Sequence, residues 1–235
     1  MEIKTYKKDA IYSYTLGAFP TLELLDNHPE DVIDVYIHSS FNNDSVKNKI
    51  KNILKEDYLV NDKLINKLSP KENCYIIGIF KKYNSTLENN KDHLLLDNPS
   101  NMGNLGTIIR SSLGFGIKNI AIIKPGVDYF DPKVIRSSMG SLFSVNVEMF
   151  DSLEEYISKY NQHIIYSFML KATNSLQNFK FEKGLATLAF GNEATGLDDK
   201  YLNNNSIIIK HSNEIDSLNI TNAVSIALYE FNRQK

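Results

Sequence analysis

Apolar residues in this chain of 235 residues fall into short runs with two rhythms, and their alternation predicts the elements. The runs 32–38 (Val32 to His38) and 74–80 (Cys74 to Phe80) have the length and apolar density of strands. Between them, Val46, Ile50, Ile53 and Leu54 recur at helical spacing behind Asp44 or Ser45, either of which can cap a helix. Leu64, Ile65 and Leu68 mark a second, short helix over 62–68. Together these elements predict a small α/β unit. The polar stretch 84–92, with Asn89-Asn90-Lys91-Asp92 at its core, reads as a linker, so domains are expected over 1–88 and 89–235.

Past that stretch the alternation becomes regular. Strands are expected at 93–96, 119–123, 144–150, 164–168, 185–190 and 207–209. Helices are expected from Thr107, after Asp131-Pro132, behind Asp151 and over 221–233. Pro132 suits a first helical turn, where its missing N–H costs nothing, and Asp151-Ser152-Leu153-Glu154 has capping-box spacing. Strands separated by helix-length segments predict an α/β fold with a mainly parallel sheet covered on both faces.

Composition narrows the function classes. Hydrophobic residues make up 42% and charged residues 23%, enough apolar material for a core in one or two domains. A formal net charge of -2 argues against a strongly basic nucleic-acid binder. The lysine series Lys47, Lys49, Lys51 and Lys55 is flanked by Asp44, Glu56 and Asp57 and reads as a solvated helix face. Apolar runs stay far below the roughly 20 residues that span a bilayer, so no membrane role is expected. One cysteine, Cys74, has no partner for a disulfide and no charged-then-apolar leader opens the chain, which points to a cytoplasmic setting. No metal is expected, because His28, His38, His93, His163 and His211 lack ligand spacing. Tyr12, Tyr14 and Phe19 could stack on unpaired bases, although core packing is the expected fate of at least two of them.

Three strand-to-helix junctions carry the candidate chemistry. At the first, the turn-rich loop 97–104 leads into a helix bearing Arg110, read either as a solvated face or as a functional cation. Gly103, Gly106, Gly114 and Gly116 miss the dinucleotide-binding register, and no acidic residue ends the next strand. The second is Gly191-Asn192-Glu193-Ala194-Thr195-Gly196-Leu197, where Glu193 is either a functional carboxylate or one favoured by a helix N-terminus. At the third, Ser217-Leu218-Asn219 precedes the terminal helix, so Ser217 or Asn219 could be simple caps.

Taken together, Asn104-Leu105-Gly106-Thr107-Ile108-Ile109-Arg110, Gly191-Asn192-Glu193 with Gly196-Leu197, and Ser217-Leu218-Asn219 through Tyr229-Glu230 and Arg233-Gln234 resemble the three motifs of the TrmH branch of the SPOUT superfamily, the RNA ribose 2'-O-methyltransferases. The resemblance covers about residues 93–235. More weakly, the first part, including the stretch 17–25, is similar to the family's ribosomal-protein-like RNA substrate-binding domain. The resemblance implies a C-terminal SPOUT domain with a deep trefoil knot, S-adenosylmethionine as cofactor, and a homodimer with its active sites at the interface. It implies cofactor contacts at Gly191, Asn192, Ile209, Ser217 and Leu218, and catalytic roles for Arg110, Glu193, Asn219 and Asn104. Asn101 is the second choice for the asparagine of the first motif. Lys210 departs from the family, which usually has proline after the residue matching Ile209.

The implied activity is methyl transfer to a ribose 2'-hydroxyl of RNA, with ribosomal RNA favoured over transfer RNA. A guanidinium with a pKa above about 12 is a poor base, so Arg110 is expected to grip a phosphate and stabilise developing oxyanion character. A non-catalytic RNA-binding or ribosome-assembly protein of the same fold is the alternative; the triplet Arg110, Glu193 and Asn219 argues against it, since pure binding needs none of them.

Overall fold

The computed structural model describes residues 3–69 and 73–235. Two compact units divide the chain: the described residues of Met1–Tyr83 together with Asp128–Ser144, and Asn84–Val127 together with Val145–Lys235.

In the first unit, β1 (Tyr12–Tyr14), α1 (Ala18–Asn27), β2 (Val32–Ile37), α2 (Asp44–Leu54), β3 (Leu59–Val60), α3 (Asp62–Leu68) and β4 (Ile76–Lys81) follow in order. Their four-stranded sheet has the order β1-β4-β2-β3, antiparallel except for β2 with β3. Both predicted strands and both predicted helices are present. Asn43, one residue before the expected cap, caps α2 by accepting from the Val46 N–H, and Asn61 caps α3 in the same way through Leu64. Too short for a periodicity to register, β1 and β3 were not expected. Tyr14 is buried, Tyr12 is half-buried and Phe19 is 66% exposed. Two lysines of the α2 series are solvated and paired, Lys49 with Asp26 and Lys51 with Asp57.

The second unit contains β5 (His93–Asp97), α4 (Met102–Gly114) and β6 (Asn119–Ile123). The chain then passes through α5 (Pro132–Ser137), which belongs to the first unit. It returns for β7 (Asn146–Phe150), α6 (Leu153–Lys159), β8 (Ile164–Ser167), β9 (Asn174–Ser175), β10 (Ala186–Phe190), β11 (Ile207–Ile208) and α7 (Ile220–Gln234). Five strands form a wholly parallel sheet in the order β7-β6-β5-β10-β8. β6 and β10 are buried at every position, as a sheet covered on both faces requires.

Several boundaries differ from the sequence reading. The stretch read as a linker packs on the second unit: Ser85 Oγ exchanges 2.8 Å hydrogen bonds with the Val147 backbone, the Leu87 N–H donates to Glu148, and Leu87 is buried. Contacts therefore divide at Tyr83 rather than at residue 88. Segment 128–144, expected in the second domain, joins the first through Ser13 Oγ donating to the Phe130 carbonyl at 2.5 Å and through Lys82 and Tyr6 on Asp128. Residues 141–144 form a 3-10 turn, so β7 starts two residues later than expected. α4 starts at Met102 rather than Thr107, which places Arg110 more than two turns in. Ser152 caps α6, and Glu155 closes the box by accepting from the Asp151 N–H, a register one residue on from the expected pair. The cap at Asp131 followed by Pro132 is as expected.

Candidate functional site

Sheet topology determines where the junctions meet. From β5 the chain steps outward through β6 and β7, then restarts on the other side at β8 and fills in with β10. β5 and β10 are thus neighbours at a point where the strand order reverses, the place at which open α/β sheets hold ligands. Phe190 stands opposite Leu96 in the register, so the loops after the two strands leave the sheet side by side.

Those loops are stitched together by Glu193 and Asn192. One oxygen of Glu193 accepts from the Ser100 N–H at 3.1 Å and the Ser100 hydroxyl at 2.7 Å. The other accepts from the Asn101 N–H at 3.2 Å and the Asn104 amide at 3.3 Å. Its carboxylate therefore sits at the start of α4, where the helix dipole favours it. Burial raises its pKa, but the hydrogen bonds from Ser100, from backbone N–H groups and from Asn104 outweigh this and hold it below the usual carboxylate value. Asn101 caps α4 by accepting from the Asn104 N–H. Asn192 donates to the Asn98 carbonyl at 2.8 Å and accepts from the N–H groups of Ala194 and Thr195. Its side chain is thus committed to the loops.

Gly191 has a more specific reason to be glycine than ligand approach. A β-carbon there would fall inside the backbone of Gly196 and Leu197, which crosses directly over it. Gly196 has φ +69°, a conformation glycine adopts without strain, and its N–H closes the turn on the Asn192 carbonyl at 2.9 Å.

A cleft of about 260 Å³ opens beside this turn. Its walls include Phe168, Leu170, Lys171, Gly191, Asn192, Glu193, Ile209, His211, Ser217, Leu218 and Ile220. All five residues expected at a cofactor and Glu193 therefore line one cavity. Arg110, Asn104 and Asn219 are not among its lining residues. Asn219 is the N-cap of α7, its side chain accepting from the N–H and hydroxyl of Thr221. Arg110 is exposed on α4, and its guanidinium makes no ion pair or hydrogen bond among the described residues. The loop 168–171 was missed, although it follows the predicted strand 164–168 and obeys the same strand-end rule. Ser100 was missed as a Glu193 partner because only the register of β5 against β10 reveals it.

The cleft suits a ligand with one apolar and one polar portion. Phe168 stacks on Phe190 at 4.6 Å along its wall, and the Leu218 N–H and C=O take no partner among the described residues. His28, Glu30 and Asp31 lie close together, with His28 Nδ1 3.8 Å from Glu30 and 3.5 Å from Asp31, but His28 is stacked on Tyr83 at 4.1 Å and is part of the first unit's packing.

Residues 91–229, more than half the chain, match the model of the SpoU rRNA methylase family. The chain belongs to the SpoU rRNA methylase family. It is 31% identical over 146 residues to an uncharacterized tRNA/rRNA methyltransferase of Synechocystis, an alignment covering 60% of this chain and 53% of that protein. It is 30% identical over 151 residues to a 23S rRNA (uridine(2479)-2'-O)-methyltransferase of Streptomyces viridochromogenes, covering 60% and 52%. The chain spans about half the length of these curated relatives. The SpoU methyltransferase AviRb from Streptomyces viridochromogenes superposes with a TM-score of 0.83 over 95% of this chain and 90% of that one, at 20% identity. Its complex with S-adenosylmethionine gives 0.82 over the same shares. These likenesses show that the SpoU fold described above is shared.

Proposed function

We propose that this SpoU-family protein transfers a methyl group from S-adenosylmethionine to a ribose 2'-hydroxyl of RNA, with ribosomal RNA as the favoured substrate. The observation that carries the reading is the convergence of Gly191, Ile209, Ser217 and Leu218 on one cleft while Glu193 ties that cleft to the helix bearing Arg110. Free main-chain groups at Leu218 and the apolar wall at Phe168 and Leu170 suit the polar and apolar ends of the cofactor. When bound, it supplies an electrophilic methyl carbon on a sulfonium. Arg110 holds a phosphate of the RNA, presents the neighbouring hydroxyl in line and stabilises negative charge as its proton leaves to phosphate or water. Glu193 is a positioning residue acting through α4, and Asn219 acts by fixing the start of α7 next to Leu218.

The reading includes a knotted SPOUT topology, an RNA-binding role for the first unit and a homodimer. Arg110 stands off the cleft wall in one chain, and Tyr229 and Ile226 leave exposed apolar surface on α7, which packs against α4. A second copy seated there would bring a partner arginine to each cleft. Calorimetry with S-adenosylmethionine, followed by mapping of 2'-O-methyl marks in ribosomal and transfer RNA from cells with and without the protein, tests the proposal. Absent cofactor heat together with an unchanged methylation map would refute it.

A further inference from the structure

Only three of the 26 lysine and arginine residues are arginine: Arg110, Arg136 and Arg233. A chain that supplies nearly all of its positive charge as lysine has a use for arginine where the planar five-donor fork matters. Arg233 spends its fork on Glu230, in a bidentate pair at 2.8 and 2.6 Å. Arg136, on α5, is half-buried, and its guanidinium makes no ion pair and no hydrogen bond among the described residues. A guanidinium partly withdrawn from water without an anion beside it is unfavourable, and a bound oxyanion would relieve the cost.

Its surroundings, all within the first unit, suggest which oxyanion. Gly140 has φ +82°, and a β-carbon on it would lie 2.8 Å from Pro20 Cα and from Glu23 Cβ, so the turn after α5 rests on the first turn of α1. Cys74 links the same neighbourhood: burial raises its thiol, while the charge of Arg136 and the Gly17 backbone pull it down. Next to Pro20, Phe19 is 66% exposed, and next to Gly140, Met139 is 39% exposed. The first turn of α1 contains no carboxylate, and Glu23, one turn on, packs its stem on Gly140 while its carboxylate accepts from the Asn27 amide at 3.5 Å and forms no ion pair with Arg136. A bare aromatic ring, a thioether and a fork without a partner among the described residues, on adjoining turns, match the alternating bases and phosphates of single-stranded nucleic acid.

We propose that Arg136 grips a phosphate of single-stranded RNA while Phe19 stacks on an adjoining base, making this patch a positioning subsite for the substrate. The inference rests on the RNA half of the function proposed above. It places in the first unit a residue that lies beyond β6 in sequence.

Anisotropy of a short fluorescein-labelled single-stranded RNA of mixed sequence, titrated at several potassium chloride concentrations, tests it. Arg136→Gln should weaken binding on the order of tenfold and reduce the slope of log affinity against log salt by about 0.7, the value for one single-strand phosphate. Arg136→Lys should recover the slope and part of the affinity. Phe19→Ala should weaken binding on the order of tenfold with the slope unchanged, which general unfolding would not produce. Calorimetric uptake of S-adenosylmethionine should be equal in all four proteins. Wild-type affinity and slope in Arg136→Gln would overturn the assignment. A wild-type protein that takes up S-adenosylmethionine but shows no salt-dependent RNA binding would also overturn it, leaving the cofactor reading intact. One that binds RNA but not the cofactor would remove the methyltransferase reading while the slope still decides on Arg136.

Discussion

Glu193 receives both the backbone N–H and the hydroxyl of Ser100, a residue 93 positions away, and so fastens the turn after β10 to the start of α4. Hydrogen bonds to a charged group typically contribute about 1.5–3 kcal/mol, a range to be discounted for a half-exposed carboxylate. Glu193→Gln should therefore cost about 1–2 kcal/mol in urea unfolding at pH 7. Because the folded-state pKa is depressed, this stabilisation is present above the unfolded value and lost as pH falls through the folded one. The gap between wild type and variant should close in acid below about pH 4. An equal gap at pH 7 and pH 3 would contradict the assignment.

Gly191 leaves no room for even a methyl group beneath the backbone of Gly196 and Leu197. Gly191→Ala should force the turn open, lowering stability by about 1–3 kcal/mol, as overpacking does, and abolishing cofactor heat in calorimetry. Gly114→Ala is the comparison, because a β-carbon there meets nothing within 4 Å. Equal behaviour of the two variants would show that the crossing is not what demands glycine.

His93 is fully buried, with its two ring nitrogens bonded to Tyr156 and to the Glu88 carbonyl. Desolvation lowers its pKa to about 4, and that of His163, whose ring lies 4.2 Å away, is also lowered by burial. Between about pH 6.5 and 4 the unfolded chain binds a proton that folded His93 refuses, so stability should fall with pH through that window. Full stability is kept above it. The loss should be on the order of 3 kcal/mol and level off below pH 4, leaving the lower window to the carboxylates. Urea midpoints unchanged from pH 7 to 4.5 would refute a neutral buried His93.

Arg110 and the cleft should separate in a kinetic test. Since Arg110 does not line the cleft, Arg110→Ala should leave S-adenosylmethionine uptake within twofold while reducing methyl transfer by about 10² or more, the scale of losing an oriented electrostatic partner. Loss of cofactor uptake instead would mean that the arginine helps hold the cofactor.

Asn219 should behave as a cap. Asn219→Ala should cost about 1 kcal/mol, the usual loss for an N-cap, whereas Asn219→Asp or Asn219→Ser should retain stability. Methyl transfer that tracks the cap across these three variants supports positioning through α7. Transfer that fails in Asn219→Asp and Asn219→Ser although their stability is retained would point to direct contact with the reacting groups.

The strands around the cleft were legible because strands buried on both faces are mostly apolar, as β6 and β10 are apart from Asn119 and Thr187. Boundaries at polar stretches were less so. Asn84 to Asp92 has linker composition, yet Ser85 and Leu87 dock on the second unit through bonds that composition does not encode. Likewise α4 begins five residues before Thr107, since Asn101 rather than an apolar position starts it.

By itself the sequence determined the α/β alternation, the cap at Asp131, the three polar junctions and the family they belong to, because each is written in neighbouring residues or in spacing along one element. Only the tertiary structure decided that Ser100 and Asn101 are the partners of Glu193, that the Gly191 site is filled by Gly196 and Leu197, and that the Gly140 turn rests on Pro20 and Glu23. These relations join residues from different elements, and they follow from strand order and register, which local periodicity does not specify.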